Sequence, residues 1–255
     1  MLHLTTTRET RLMKEYIAST YGDHLADVYD EWFASYEDAA IDVLVELAQG
    51  GRALELGIGT GRVALPLAAR GIEVHGIDAS EAMVSRLRVR PGGESIPVTM
   101  GNFADVQVEG EFPLVFVVFN TFFALLTQEE QVRCFRNVAA HLAENGTFVI
   151  DAFVPDMKRF TGGQEVRAHA VTTEHVSIQV SQHDPARQRV KGQFIVLRND
   201  QVKLYPVEIR YCWPSELDLM AQLAGLRLGH RWGGWTRGEF NATSQKHVSV
   251  YVNDK

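Results

Sequence analysis

The chain has 255 residues, 45% hydrophobic and 22% charged, with 32 acidic against 25 basic side chains and a formal net charge of -7. This is the make-up of a soluble globule with room for one large α/β domain or one domain with an insertion; no lysine or arginine block marks a nucleic-acid surface, and no stretch nears the ~20 apolar residues of a membrane span. Cys134 and Cys212 stand far apart in no metal-like spacing and read as free thiols of a reducing compartment, and without a long apolar run near the N-terminus the expected location is the cytoplasm.

In chain order, "HLADVYDEWFASY" and "YEDAAIDVLVELAQ" space apolar residues by three and four, so residues 1–49 are predicted to form a helical cap. From Arg52 to Phe153 short apolar strands alternate with helices. The strand candidates are "RALEL", "EVHGI", "IPVTM", "LVFVVF" and "TFVIDAF". The helix candidates are "RVALPLAARG", "SEAMVSRLRV" and "QEEQVRCFRNVAAHLAENG", the last closing on a glycine. Such alternation predicts an α/β, Rossmann-like parallel sheet covered by helices on both faces. Residues 165–211 are β-rich, with turn signals at Asp184-Pro185 and Asn199-Asp200, and predict an antiparallel insertion of about three strands after the fifth strand. The first pattern then resumes with the helix "PSELDLMAQLAG", for which Ser215 is the expected N-cap, and the strands "LRLGHRW" and "KHVSVYV". Residues 1–255 read as a single domain with an insert.

The stretch "RALELGIGTGRVALPLAARGIEVHGIDAS" sets Gly57, Gly59 and Gly61 at alternate positions after a strand. A dinucleotide fingerprint is G-x-G-x-x-G. Here the spacing is G-x-G-x-G, Glu55 lies at the end of the strand, and Asp78 ends the next one. Glycines let a ligand approach the backbone, and a carboxylate at Asp78 can accept from both ribose hydroxyls of an adenosine. A carboxylate at Glu55 would repel a pyrophosphate and suit a cationic amino group. A ligand with an adenosine, a positive sulfur, an ammonium and no phosphate is S-adenosylmethionine (SAM).

"ALELGIGTG" resembles the first signature of the class I SAM-dependent methyltransferases, and "VHGIDASEAMV" resembles their second. "TMGNFADV" resembles their adenine-flanking segment, with Asn102 in place of the usual aspartate and Phe103 beside it. The resemblance covers roughly residues 20–155 and implies SAM as cofactor and S-adenosylhomocysteine (SAH) as product. It implies a cofactor site drawn from the loop (Glu55, Gly57, Gly59, Gly61, Arg62), the second strand and its helix (Asp78, Ala79, Met83), and the flanking Asn102, Phe103, Phe119 and Tyr29. Arg62 would meet the SAM carboxylate.

The acceptor is read from the outer segments. "VFVVFNTFFALL" carries Asn120-Thr121-Phe122-Phe123 without the prolines used in base amino methylation, and Asp151 stands alone, so no metal site is expected. "TYGDHLADVYDEWF" is similar to the N-terminal signature of the N-methyltransferases that dimethylate nucleotide-linked aminodeoxysugars in antibiotic biosynthesis. It sets Tyr21 and Tyr29 eight residues apart, on neighbouring faces if the segment is one helix. Those enzymes share a late antiparallel insertion and an R-G-x-F stretch, which Arg237-Gly238-Glu239-Phe240 resembles. Enzymes that methylate the α-amine of ribosomal peptides carry similar segments. Where the sugar enzymes often have a histidine after the fourth strand, Ala124 stands here, so no histidine base is expected at that place.

The resemblance implies a small-molecule partner, a dTDP-linked sugar, and a monomer or homodimer, with neither nucleic acid nor membrane involved. Tyr21, Asn120 and Asp151 are the catalytic candidates. Trp32, Phe122, Phe153 and Arg237 are the substrate candidates, with Phe122 as a pocket wall and Arg237 facing a pyrophosphate. Two other readings stay open: N- or O-methylation of a peptide or other natural product, and a SAM- or SAH-binding protein without catalysis.

Overall fold

Two sheets carry the architecture. The computed structural model describes residues 15–33, 36–105, 108–199 and 201–253. Helices α1 (Thr20–Trp32) and α2 (Asp38–Ala48) lead into β1 (Arg52–Leu56), α3 (Ala64–Ala69), β2 (Glu73–Asp78), α4 (Glu81–Arg88), β3 (Val98–Met100) and β4 (Phe112–Val117). Then come α5 (Gln128–His141) and β5 (Leu142–Phe153), followed by β6 (Gln164–Val171), β7 (His175–Asp184), β8 (Arg189–Arg198) and β9 (Gln201–Arg210). The chain closes with α6 (Pro214–Leu223), β10 (Leu226–Trp232) and β11 (Lys246–Asn253). Among the described residues no helix is long and apolar enough to cross a membrane.

The seven-stranded sheet runs β10-β11-β5-β4-β1-β2-β3. Its β4–β5, β1–β4, β1–β2 and β2–β3 pairs are parallel, and β11 is antiparallel to both β5 and β10. Alternate strand residues face opposite layers. Leu54, Leu56, Val115 and Val117 pack on one side with Phe135 of α5 and Leu217 of α6; Ala53, Leu114 and Phe116 pack on the other with Leu44 of α2 and Leu67 of α3. Strand order reverses beside β1, between β2 on one flank and β4 on the other, and ligands of open α/β sheets bind outside the carboxyl ends at such a switch point.

The second sheet, β6-β7-β8-β9, is antiparallel throughout. It has four strands, not about three: the segment read as one strand from Glu165 is folded back at Thr172–Glu174, where the Thr172 hydroxyl accepts the N–H groups of Glu174 and His175 at 3.2 and 3.0 Å. Two boundaries also shift. Helix α5 ends at His141, and the "LAEN" expected to continue it opens β5. Trp213 caps α6 and Pro214 takes its first turn, so Ser215 lies inside the helix instead of capping it. The insert is fastened to the main sheet's helices by buried Arg210, which donates to Gln131 of α5 and, at 2.7 Å, to Glu216 of α6. Helix α1 lies between α4 and β9, its Leu25 and Ala26 packed with Met83 and Tyr205.

Candidate active site

The loop leaving β1 has all three glycines in left-handed conformation, with φ of 75°, 56° and 77° at Gly57, Gly59 and Gly61. A Cβ at Gly57 would strike Thr121 at 2.5 Å and one at Gly61 would strike Leu87 at 2.4 Å, so these two serve close packing. At Gly59 a Cβ would meet nothing within 4 Å. The open space there is a cradle that a side chain would fill. Asp78 holds its shape: Oδ2 accepts the Gly59 N–H at 2.7 Å and Oδ1 the Ser80 N–H at 2.8 Å. Burial raises the Asp78 carboxyl above its usual range, opposed by these N–H groups and that of Ala79. Each carboxylate oxygen has two lone pairs, so both can accept again from a ligand diol.

Glu55 is 3% exposed, and its Oε2 has no partner. Burial pushes this carboxyl well above its usual range, with Arg62 pulling the other way. A buried carboxylate oxygen without a partner is costly, and a cationic ligand group beside it would reduce the cost. The Arg62 guanidinium lies 4.1 Å from the Phe119 ring and 5.3, 5.5 and 5.8 Å from those of Tyr36, Tyr29 and Phe33, and donates to Tyr29 Oη at 3.3 Å. No carboxylate ion-pairs with it among the described residues, which leaves a half-buried cation ringed by aromatic side chains and suited to a ligand carboxylate.

Helix α1 covers this loop. Its Asp30 accepts from the Thr60 hydroxyl at 2.6 Å and its Asp23 from the Ser80 hydroxyl at 2.7 Å. Tyr21 and Tyr29 meet edge to face at 6.5 Å, and burial pushes the Tyr21 phenol upward, with Tyr29 adding to the effect. Met83 lies buried in the same cluster. On the far side of the loop, Phe103 is buried 3.8 Å from the space a Cβ at Gly57 would take. Asn102 Oδ1 accepts the Ala104 N–H at 3.0 Å, and its Nδ2 lies 3.4 Å from Glu130.

At the carboxyl end of β4, Phe119 and Asn120 are consecutive non-glycine residues with φ of 57° and 64°. Such a pair persists only where its surroundings hold it, and Asp151 does so. The Asp151 side chain accepts the Phe119 N–H at 3.2 Å and its main-chain carbonyl accepts the Asn120 N–H at 3.0 Å. Tyr36 donates to the same Oδ2, and the Trp235 indole donates to Tyr36 Oη at 3.0 Å. Asn120 Oδ1 in turn accepts the Phe153 N–H at 2.7 Å. Burial raises the Asp151 carboxyl, opposed by the Tyr36 hydroxyl and the Phe119 N–H.

The structure thus brings Tyr21, Tyr29, Glu55, the three glycines, Arg62, Asp78, Ala79, Met83, Phe103, Phe119, Asn120 and Asp151 to one end of the parallel sheet. Two substrate candidates lie elsewhere. Phe122 is fully buried on Phe135, ring centroids 5.5 Å apart, and is a core ring instead of a pocket wall. Arg237 pairs with Glu46 of α2 at 2.7 Å and stacks over Trp232. Phe153 packs on Phe123 at 4.9 Å, and Trp32 faces the antiparallel sheet. Tyr36, Phe33 and the Asp30–Thr60 contact carry no mark in the sequence, and the stretch from Trp232 to Trp235 reads there either as the rim of a substrate mouth or as loop packing. Most of their partners are distant in the chain: Tyr36 meets Asp151 and Trp235, Asp30 meets Thr60, and Phe33 meets Phe119.

A doubly wound sheet with an open glycine cradle after β1, an orphaned carboxylate below it and an acid ending β2 defines a nucleoside-binding enzyme of the class I methyltransferase type. A family model for the methyltransferase domain matches residues 53–146. The CcbJ methyltransferase from Streptomyces caelestis is 41% identical and superposes with a TM-score of 0.87, over 94% of this chain and 100% of its own. The cypemycin N-terminal methyltransferase of a Streptomyces species is 26% identical over 202 residues, 79% of this chain and 82% of its own length. SAM-bound CalS10 from Micromonospora echinaspora, an amino pentose methyltransferase, shares the fold with a TM-score of 0.68 and 22% identity, over 89% and 96% of the two chains. The chain belongs to the SAM-dependent methyltransferases and is related to those of sugar and natural-product chemistry.

Proposed function

We propose that this methyltransferase transfers a methyl group to the neutral nitrogen of a small natural-product amine, with a dTDP-linked aminodeoxysugar as the first candidate acceptor. The observation that carries this reading is the absence of a free base at the reacting end, among the described residues. Asp151 is already engaged by Tyr36 and the Phe119 N–H, Asn120 Oδ1 by the Phe153 N–H, and the Tyr21 phenol is pushed away from ionisation. These groups can orient a nucleophile but are badly placed to strip a proton from one. A hydroxyl acceptor needs that proton removed, whereas a neutral amine attacks with its own lone pair and needs only alignment.

In this reading Asp78 takes the ribose diol, Glu55 stands beneath the cationic amino-acid end, Arg62 meets the carboxylate, and Tyr29, Phe103 and Phe119 wall the cleft. SAM supplies the electrophilic methyl group. Tyr21, and the lone pairs left on Asn120 and Asp151, hold the amine's hydrogens so that the nitrogen points along the line of displacement. The similarity to the cypemycin N-terminal methyltransferase favours a second reading, a peptide α-amine, which the same alignment would serve.

The test is incubation with SAM and a panel of aminodeoxysugar nucleotides, short peptides and their hydroxyl counterparts, followed by mass spectrometry. Methylation on nitrogen with SAH released in step is the expected result. Methylation confined to oxygen, or SAM binding without turnover on any amine, would remove the reading.

A further inference from the structure

A cavity of about 740 Å³ opens between the C-terminal half of α1 and one face of the antiparallel sheet. That is the size of a site for a drug-sized molecule. Strand register builds its floor as cross-strand rows on a single face: Phe194 beside Tyr205, then Ser177, Val196 and Lys203, then His175, Arg198 and Gln201. The rows form a gradient. At the α1 end Trp32 meets Phe194 and Tyr205 edge to face at 6.0 and 5.0 Å, giving three aromatic walls. Toward the β8–β9 turn the lining becomes cationic, with Lys203 and Arg198. Arg198 has a loose partner, Glu174 at 3.5 Å, and no carboxylate pairs with Lys203 among the described residues. Among the described residues Glu31 is the one carboxylate that lines the cavity, and it sits on α1.

Phe33 joins this cavity to the cofactor side. It lines the cavity, yet its ring lies 5.1 Å from both Tyr29 and Phe119 and within 5.8 Å of the Arg62 guanidinium. An acceptor whose amine lies beside Tyr21 and Asn120 can thus extend its remaining bulk past Phe33 along the sheet face.

We propose that this cavity is the distal subsite of the methyl acceptor and selects acceptors that carry a flat or apolar ring bearing an anionic group. The ring packs against Trp32, Phe194 and Tyr205, and the anion meets Lys203 and Arg198. This rests on the acceptor being a small-molecule amine, and it assigns the acceptor's anion to the antiparallel sheet instead of to Arg237. A nucleoside diphosphate and a carboxylate-bearing ring system share the required chemistry.

The experiment is calorimetric titration of the SAH-saturated full chain with thymidine 5′-diphosphate and, separately, with 2-naphthoate. At least one probe should bind the wild type in one-to-one ratio, and whichever binds identifies the anion as phosphate or carboxylate. Lys203 and Arg198 are exposed, so Lys203→Ala/Arg198→Ala should fold normally by circular dichroism and hold SAH as the wild type does. Its probe affinity should fall about tenfold. Binding of neither probe to the wild type, or equal binding by the double variant, would overturn the subsite. The two proposals fail separately. Probe binding without methylation of any amine removes the amine reading and leaves the subsite; amine turnover with a KM indifferent to the double variant does the reverse.

Discussion

The carboxyl end of the parallel sheet and the open face of the antiparallel sheet are built by different means. At the sheet end the main chain sets the shape: the Gly59 and Ser80 N–H groups fix Asp78, Gly59 leaves open the space a Cβ would take, and Glu55 lies buried with its Oε2 unpartnered. On the antiparallel face the groups are side chains from β7, β8, β9 and α1, brought together by register. The first arrangement tolerates little change, because a backbone cradle has no spare atoms. The second can be re-lined one side chain at a time without disturbing the fold. One region is held to a fixed backbone shape, and the other presents side chains that can change singly.

The largest expected effect lies in the cradle. Gly59→Val adds a branched side chain where φ is 56° and fills the open space, so SAH affinity should fall by more than roughly 1000-fold, about 4 kcal/mol. Calorimetry on the folded variant checks this, and affinity within tenfold of wild type would mean that the ligand does not enter the loop. Asp78→Ala removes a charged acceptor and also frees the Gly59 N–H. A loss of roughly 1.5–3 kcal/mol, or ~10–150-fold in SAH affinity, is expected. An unchanged affinity would take Asp78 out of the site.

Glu55 gives a smaller but more discriminating test. Burial raises its carboxyl, so it is ready to carry a proton in the free protein; a cationic ligand favours the ionised form. Binding must then release a proton, and SAM affinity must rise with pH through the Glu55 pKa. Calorimetry in two buffers of different ionisation enthalpy should find up to about one proton released by the wild type and none by Glu55→Gln. Equal release by both would place the titrating group elsewhere.

The same contrast explains what the sequence made legible. β1 was readable residue for residue because an apolar run stops at a glycine loop, and both carboxylates were readable because they end strands beside it. "LAEN" was not, since it suits a helix. What makes it strand is Gly146, whose Cβ would lie 2.9 Å from the Ala143 and Phe112 carbonyl oxygens, a close approach between chain segments that no local pattern encodes. The extra hairpin at Thr172–Glu174 lacks glycine, proline, asparagine and aspartate and is turned by one threonine hydroxyl. The Tyr36–Asp151–Trp235 chain joins residues 115 and 199 positions apart, so it exists only once the sheet has formed.

The pH dependence of kcat/KM, measured on the preferred amine with wild type and Asp151→Asn, tests most directly whether the reacting end aligns a neutral nucleophile or makes one. With alignment alone, kcat/KM rises with pH and levels off at the amine's own pKa. Asp151→Asn then keeps that profile and loses ~10–100-fold through weakened support of Phe119 and Asn120. A loss of several thousand-fold with normal SAH affinity, together with disappearance of a break that does not follow the amine's pKa, would contradict this and make Asp151 the base.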